Sequence, residues 1–271
     1  MITPTPSSAP SGRDQSILFS PFGVGKTTMA VTASAHCPAW ISATVAPPPA
    51  DAPLTDIPDL AWLAYDRNAL AGFASLRLNV PLLFDLSTVA PGRIVEETLE
   101  ILAWLKGQSQ VTGAVLDTLT AFDTSLGIRH AAKAASNKMA YYDAILGDHM
   151  RVYAALRQLN LEVQLLAHTK AAFDADDAAK AKRVALDVPD YTAHITGQAG
   201  ARYKADCDNI LFLQRESAVV NGKKQTRVIA RTQPGGGIEC KVRGGVVLPD
   251  KLDADWRVIR AAMGRAPLTA V

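Results

Sequence analysis

Residues 16–28 read Ser-Ile-Leu-Phe-Ser-Pro-Phe-Gly-Val-Gly-Lys-Thr-Thr, and this stretch decides the fold. Ser16 to Phe19 is a short apolar run that predicts a buried strand. A glycine-containing turn follows, and then a helical stretch from Lys26 to about Ala35. Residues 20–28, SPFGVGKTT, match the Walker A pattern GxxxxGK[ST], except that Ser20 stands where the leading glycine is expected. Gly25 lets the backbone close on a phosphate without a β-carbon clash. Successive amide N–H groups and the helix N-terminus make an anion nest. Lys26 brings a point charge to the β and γ phosphates, and the Thr27 hydroxyl can ligate Mg²⁺. The candidate nucleotide-binding residues are therefore Pro21, Phe22, Gly23, Val24, Gly25, Lys26, Thr27 and Thr28.

Further along the chain, three more apolar runs end in residues with chemistry. Leu60 to Tyr65 ends at Asp66, Gly113 to Leu116 at Asp117, and Glu162 to Ala167 at His168; Val80 to Leu86 reads as a further short strand. In a parallel sheet, strand C-termini lie on the same edge as the phosphate loop. Asp117 is the candidate Mg²⁺ partner, its other reading being an acid that merely ends a strand. Asp66 is the candidate for orienting an attacking water, against a plain strand-end acid. His168 could sense a γ-phosphate or be a structural histidine.

Helices are predicted at Val95–Lys106, from Val95, Leu99, Leu102 and Leu105, and at Lys138–Leu159, from the stripe Met139, Tyr142, Leu146, Met150, Tyr153 and Leu156. Asn209 to Leu213 is a strand. Val219 and Val220, Asn221-Gly222 and Gln225 to Ala230 read as an antiparallel hairpin. A strand near Ile238 to Val242 and a helix near Ala254 to Met263 follow. Strands alternating with helices predict an α/β fold with a mainly parallel sheet. Residues 1–15, rich in proline and serine, read as a disordered tail, and residues 16–271 as the folded domain. Within it, 43–58 reads as a Pro-rich surface loop and 170–188 as a mobile loop.

The chain has 271 residues with 28 Lys plus Arg against 26 Asp plus Glu, a formal charge of +2. That balance excludes a chain-wide polycation, so any nucleic-acid site must be a local patch. Cys37, Cys207 and Cys240 are dispersed and odd in number, which argues against a disulfide scaffold or zinc site. No apolar run reaches the ~18 residues of a membrane helix. The N-terminus lacks a signal-peptide pattern, so no membrane partner and a cytoplasmic location are expected.

The order SPFGVGKTT, WLAYDRNAL, AVLDTLTAF, LLAHTK, a hairpin and KVRGG resembles the phage-encoded RecA-like P-loop ATPases, a reduced RecA core of phage recombination modules. The resemblance covers about residues 16–245 and implies a RecA-like α/β fold, ATP and Mg²⁺ as cofactors, and Mg-dependent ATPase activity stimulated by DNA. It implies nucleotide contacts from Gly23, Gly25, Lys26, Thr27 and Thr28, and a metal role for Asp117. It places Asp66 where relatives carry a catalytic Glu, and His168 where they carry a Gln linking the γ-phosphate to DNA. Lys241 and Arg243 fall near a basic pair that reaches a neighbouring subunit's nucleotide, which implies a homo-oligomer. A solvated edge-strand pair is the other reading of those two.

By the same resemblance, residues 119–138 and 169–200 are candidate single-stranded DNA loops. The first holds Arg129, His130, Lys133 and Lys138. The second holds Lys170, Lys180, Lys182 and Arg183, with Tyr191 and His194 nearby, but also Asp174, Asp176 and Asp177. The leading reading is an ATP-binding, ATP-hydrolysing DNA-binding protein of phage recombination, acting by single-strand annealing or strand exchange. The alternatives are a P-loop small-molecule kinase and a nucleotide-gated assembly or loading factor with little turnover.

Overall fold

The computed structural model describes residues 13–43, 48–171, 191–195, 197–220, 223–243 and 246–266. Six parallel strands form the centre of one sheet: β1 (Gln15–Ser20), β3 (Leu60–Ala64), β5 (Leu82–Asp85), β6 (Gly113–Asp117), β7 (Glu162–Ala171) and β9 (Asn209–Val220). Across the sheet they run β9, β1, β7, β6, β3, β5. Strands β1, β3 and β6 are apolar along most of their length because helices cover both faces. Beyond β9 the sheet turns antiparallel: β10 (Lys223–Arg231) pairs with β9 as a hairpin, and β12 (Lys251–Asp253) pairs with β10. This is the mainly parallel, helix-flanked sheet with a C-terminal antiparallel hairpin that the sequence predicts.

Alternate residues of β1 feed two cores. Ile17 and Phe19 join the layer under α3 (Ile94–Leu105), α4 (Leu119–Arg129), α6 (Lys138–Arg157) and α7 (Gly197–Asp206). Leu18 joins the layer under α1 (Lys26–Val31), α2 (Asn68–Ser75) and α8 (Trp256–Ala262), with Trp62, Phe73 and Trp256. Each core is continuous, so the sheet is held from both sides and its C-terminal edge is a rigid platform.

Several expectations are corrected. Within the run Val80–Leu86 the strand is shorter than expected, Leu82–Asp85, and joins the main sheet; just before the run, Leu78–Asn79 (β4) pairs with Thr55–Asp56 (β2) in a separate two-stranded sheet. The 43–58 stretch is therefore not all surface loop, since it carries β2 and buries Ala52 and Ile57; residues 44–47 lie outside the described residues. Helix α1 stops at Val31, short of Ala35. Residues 119–138 are helices, α4 and α5 (Ala131–Ser136), and not a loop. Thr118 caps α4 by accepting the Ala121 N–H at 3.0 Å, a local device that strand reading passes over.

In α6 the stripe departs from expectation. Met139 is 69% exposed and Tyr142 41%, and Leu146 and Met150 are only partly buried, because the buried face is turned by about one residue from the predicted stripe: Tyr141 packs against the core, and Ile145, His149, Val152, Tyr153 and Leu156 are buried. Helix α7 and strand β8 (Tyr191–Ala193) occupy part of the predicted 169–200 loop. The strand expected at Ile238–Val242 is confined to Lys241–Val242 (β11), which pairs with the start of β9. The Asn221-Gly222 turn and most of the 170–188 loop lie outside the described residues, as do residues 1–12 of the tail. Among the described residues no helix is long and apolar enough to cross a membrane.

Candidate nucleotide-binding site

Strand β1 ends at Ser20, and the next five residues turn the chain into α1. Gly23 (φ 73°) and Gly25 (φ 117°) take left-handed conformations that side chains disfavour, so glycine is needed at both. Ser20 is not among the positive-φ residues, which explains why the leading position tolerates a side chain. That side chain has a use. Its hydroxyl donates to the Pro21 carbonyl at 2.8 Å and accepts from Lys26 Nζ at 3.2 Å.

Lys26 is buried, and its ammonium also donates to the Ser20 carbonyl and to His168 Nδ1, both at 3.4 Å. Burial lowers its pKa to about 8, while the Asp117 and Asp66 carboxylates pull it the other way. His168 is lowered too, first by burial and then by Lys26 and His194, against Asp66. A neutral imidazole can accept at Nδ1, so the hydrogen bond and the charge state agree.

Asp117 ends β6. Burial raises its carboxyl to about 6, Asp66 adds to the rise, and Lys26 and the Thr27 hydroxyl oppose it. Strand β7 lies between β1 and β6, with Asp117 opposite Leu166 and Ser20 opposite His168. Asp66 follows β3; its carboxylate accepts from the Asn68 backbone N–H at 3.0 Å and from the Asn68 amide at 2.8 Å. The Asp117–Thr118 peptide is cis.

These groups share one cleft of about 290 Å³ at the C-terminal edge of the sheet. It is lined by Phe22, Gly23, Gly25, Lys26, Thr27 and Thr28 from the loop and α1, with Asp66, Asp117, Thr118 and His168 from the strand ends. The far wall is α2, through Asn68, Gly72 and Ser75. Gly72 allows a close approach, since a β-carbon there would lie 3.3 Å from Thr27 Cγ2. The sequence reading missed this wall. Its signal was present in the spacing Asn68, Gly72, Ser75, a small or polar face on the helix that follows Asp66.

Two predicted loop residues do not line the cleft. Pro21 contributes its carbonyl to Ser20, and Val24 packs against the apolar layer. Lys241 and Arg243 are not brought to it either. They sit at the start of β9, the opposite sheet edge, where Val242 pairs with Asn209 and Asn209 with Ser16. Lys241 Nζ donates to the carbonyls of Lys204 (2.6 Å) and Ala205 (3.1 Å), and Arg243 to those of Ala205 (2.6 Å) and Asp206 (3.3 Å). Both thus serve the otherwise unpaired carbonyls at the end of α7.

Of the basic residues read as DNA contacts, Arg129 is engaged by Glu96 (2.7 Å) and Asp148 (3.1 Å), and His130 by Asp148 (2.8 Å). Lys133 and Lys138 are exposed on α5 and the start of α6. Tyr191 stacks on Phe212 with ring centroids 6.1 Å apart. Lys180, Lys182 and Arg183 lie outside the described residues.

No family model and no curated protein matches the chain. Among solved structures it is similar to the crystal structure of the RadB recombinase, at 15% identity over 85% of this chain and 91% of that one, with a TM-score of 0.38. It is also similar to a prototypical ATPase from the type III secretion system of pathogenic bacteria, at 11% identity over 74% of this chain, with a TM-score of 0.43. The chain matches 52% of that ATPase's length. The site described above stands on its own geometry.

Proposed function

We propose that the chain is a Mg²⁺-dependent ATPase of RecA-like type. We propose further that it acts on single-stranded DNA in phage recombination, by annealing or strand exchange, as a homo-oligomer in the host cytoplasm. One observation carries the ATPase reading: Lys26, Thr27, Asp66, Asp117 and His168, from four separate elements, meet in a single cleft beside a glycine loop. Lys26 would face the β and γ phosphates and stabilise charge on the γ group. Asp66, on the cleft wall, would orient the attacking water, and His168 would sense the γ-phosphate through its contact with Lys26.

The residues also fit a divalent cation. Asp117 holds a buried carboxylate that is costly to ionise beside Asp66, and the Thr27 hydroxyl is next to it. A cation bound there would supply positive charge to the phosphates. The DNA half rests on chain continuity. Strand β7 runs from His168 directly into the candidate DNA segment, and His194 returns to it, donating from its backbone N–H to the His168 carbonyl at 2.8 Å. An intersubunit role for Lys241 and Arg243 belongs to the same proposal and requires a neighbouring copy.

The test is ATP turnover with and without single-stranded DNA, alongside Lys26→Ala. Stimulation by DNA that vanishes in the variant supports the whole reading. Turnover indifferent to DNA overturns its DNA half and favours a small-molecule kinase. Bound ATP without turnover favours a nucleotide-gated assembly factor.

A further inference from the structure

The phosphate loop is also touched from outside its cleft, by the β9–β10 hairpin. Arg215, an exposed residue of β9, donates from Nη2 to the Gly23 carbonyl at 2.6 Å. Its antiparallel register partner is Val228 of β10. Directly opposed residues project from the same face of a sheet. Val228 is the neighbour at the loop's other glycine: a β-carbon on Gly25 would lie 3.4 Å from Val228 Cγ2. One cross-strand pair therefore meets both glycines that hold left-handed φ.

The pair is itself braced. Val228 donates its N–H to the Ala43 carbonyl at 2.7 Å and accepts from the Ala254 N–H at 3.0 Å. A trans peptide directs its C=O and the following N–H to opposite sides. Holding the Gly23 carbonyl toward Arg215 thus turns the Val24 N–H the other way, with one orientation selected before a ligand arrives. Glycines left alone sample both signs of φ, and ordering them on binding would weaken affinity.

We propose that Arg215 is a positioning residue for the phosphate loop: paired with Val228, it presets Gly23–Gly25 in the phosphate-accepting form. This rests on the nucleotide-binding reading above. Its guanidinium acts through a backbone carbonyl and not on the reacting phosphate.

The test is calorimetric titration of wild type, Arg215→Ala and Arg215→Lys with Mg·ADP and Mg·ATP. Steady-state kcat and KM, and thermal unfolding of the empty protein, are measured alongside. Arg215→Ala is expected to weaken both nucleotides alike by roughly ten-fold, the weight of one charged hydrogen bond. KM should rise with it while kcat holds, and the unfolding midpoint of the empty protein should fall by a few degrees, because the Arg215–Gly23 bond is already made before nucleotide arrives. Arg215→Lys should recover most of the affinity, because an ammonium can donate to the same carbonyl. Affinities that stay within about two-fold of wild type in Arg215→Ala overturn the proposal. So does a loss of kcat at unchanged affinity without lysine rescue, which is the signature of direct phosphate contact. A wild-type protein that binds neither nucleotide overturns the functional reading itself, and this role with it.

Discussion

Lys26→Met offers a test in which two measured quantities must move in opposite directions with pH. In the empty cleft, burial holds the Lys26 ammonium at about 8 against an ordinary 10.5. That difference corresponds to about 3 kcal/mol for keeping the charge there. Bound phosphates would favour the charged form and return the group to at least its ordinary value. Nucleotide binding above pH 8 must then take up a proton, and wild-type affinity for Mg·ADP should fall by roughly 30-fold between about pH 7 and pH 9.5. Asp117, at about 6, is ionised throughout that range.

Stability of the empty protein runs the other way. The folded pKa lies below the unfolded one, so between about pH 8 and 10.5 the unfolded chain binds more protons, and Lys26 adds stability as pH rises. Methionine fills a similar volume without charge and removes both effects. The variant should bind nucleotide weakly at every pH. Its stability relative to wild type should be highest near neutrality and lose about 3 kcal/mol of that advantage by pH 10.5. Calorimetric titration at the two pH values and urea unfolding of the empty proteins read the two quantities. Wild-type affinity that is flat across the range, or a variant that binds as well as wild type, would refute the placement of Lys26 against phosphate.

Other expectations concern the scaffold. Burial, reinforced by Asp14 and opposed by Arg260, raises Glu162 to about 7. A raised acid contributes stability that is complete below its unfolded value of about 4.5 and is lost as pH rises through about 7; the unfolding midpoint should fall over that window and flatten in Glu162→Gln. Asp59 is buried and accepts from Ser34 Oγ, from the Ala35 N–H at 3.0 Å and from Thr112 Oγ1 at 3.0 Å. Asp59→Ala strands these donors and should cost about 3 kcal/mol in urea unfolding while nucleotide affinity in the folded protein is kept. At Gly25, φ is 117°, so Gly25→Ala forces a side chain into the left-handed region at about 1–2 kcal/mol, and it also reshapes the anion nest. Calorimetry should show affinity lost well beyond the small drop in unfolding midpoint; a variant that binds normally would contradict the assigned loop geometry.

What the sequence determined by itself was local. The strand, glycine turn and helix of residues 16–31 are contiguous, so the loop and the left-handed backbone its glycines adopt were legible there. Apolar runs ending in Asp66, Asp117 and His168 were legible because buried parallel strands carry no polar alternation. Tertiary structure alone decided the rest. Strand order places β7 between β1 and β6, which sets His168 against Lys26 while Asp117 lies one strand further away. Pairing of β11 with the start of β9 sends Lys241 and Arg243 to the end of α7, away from the cleft. Ion pairs with Glu96 and Asp148 occupy Arg129, and a hydrogen bond to Asp148 occupies His130, both of which the resemblance had offered to DNA. Periodicity records which face of an element is buried; which distant element covers that face depends on long-range pairing, and spacing along the chain does not encode it.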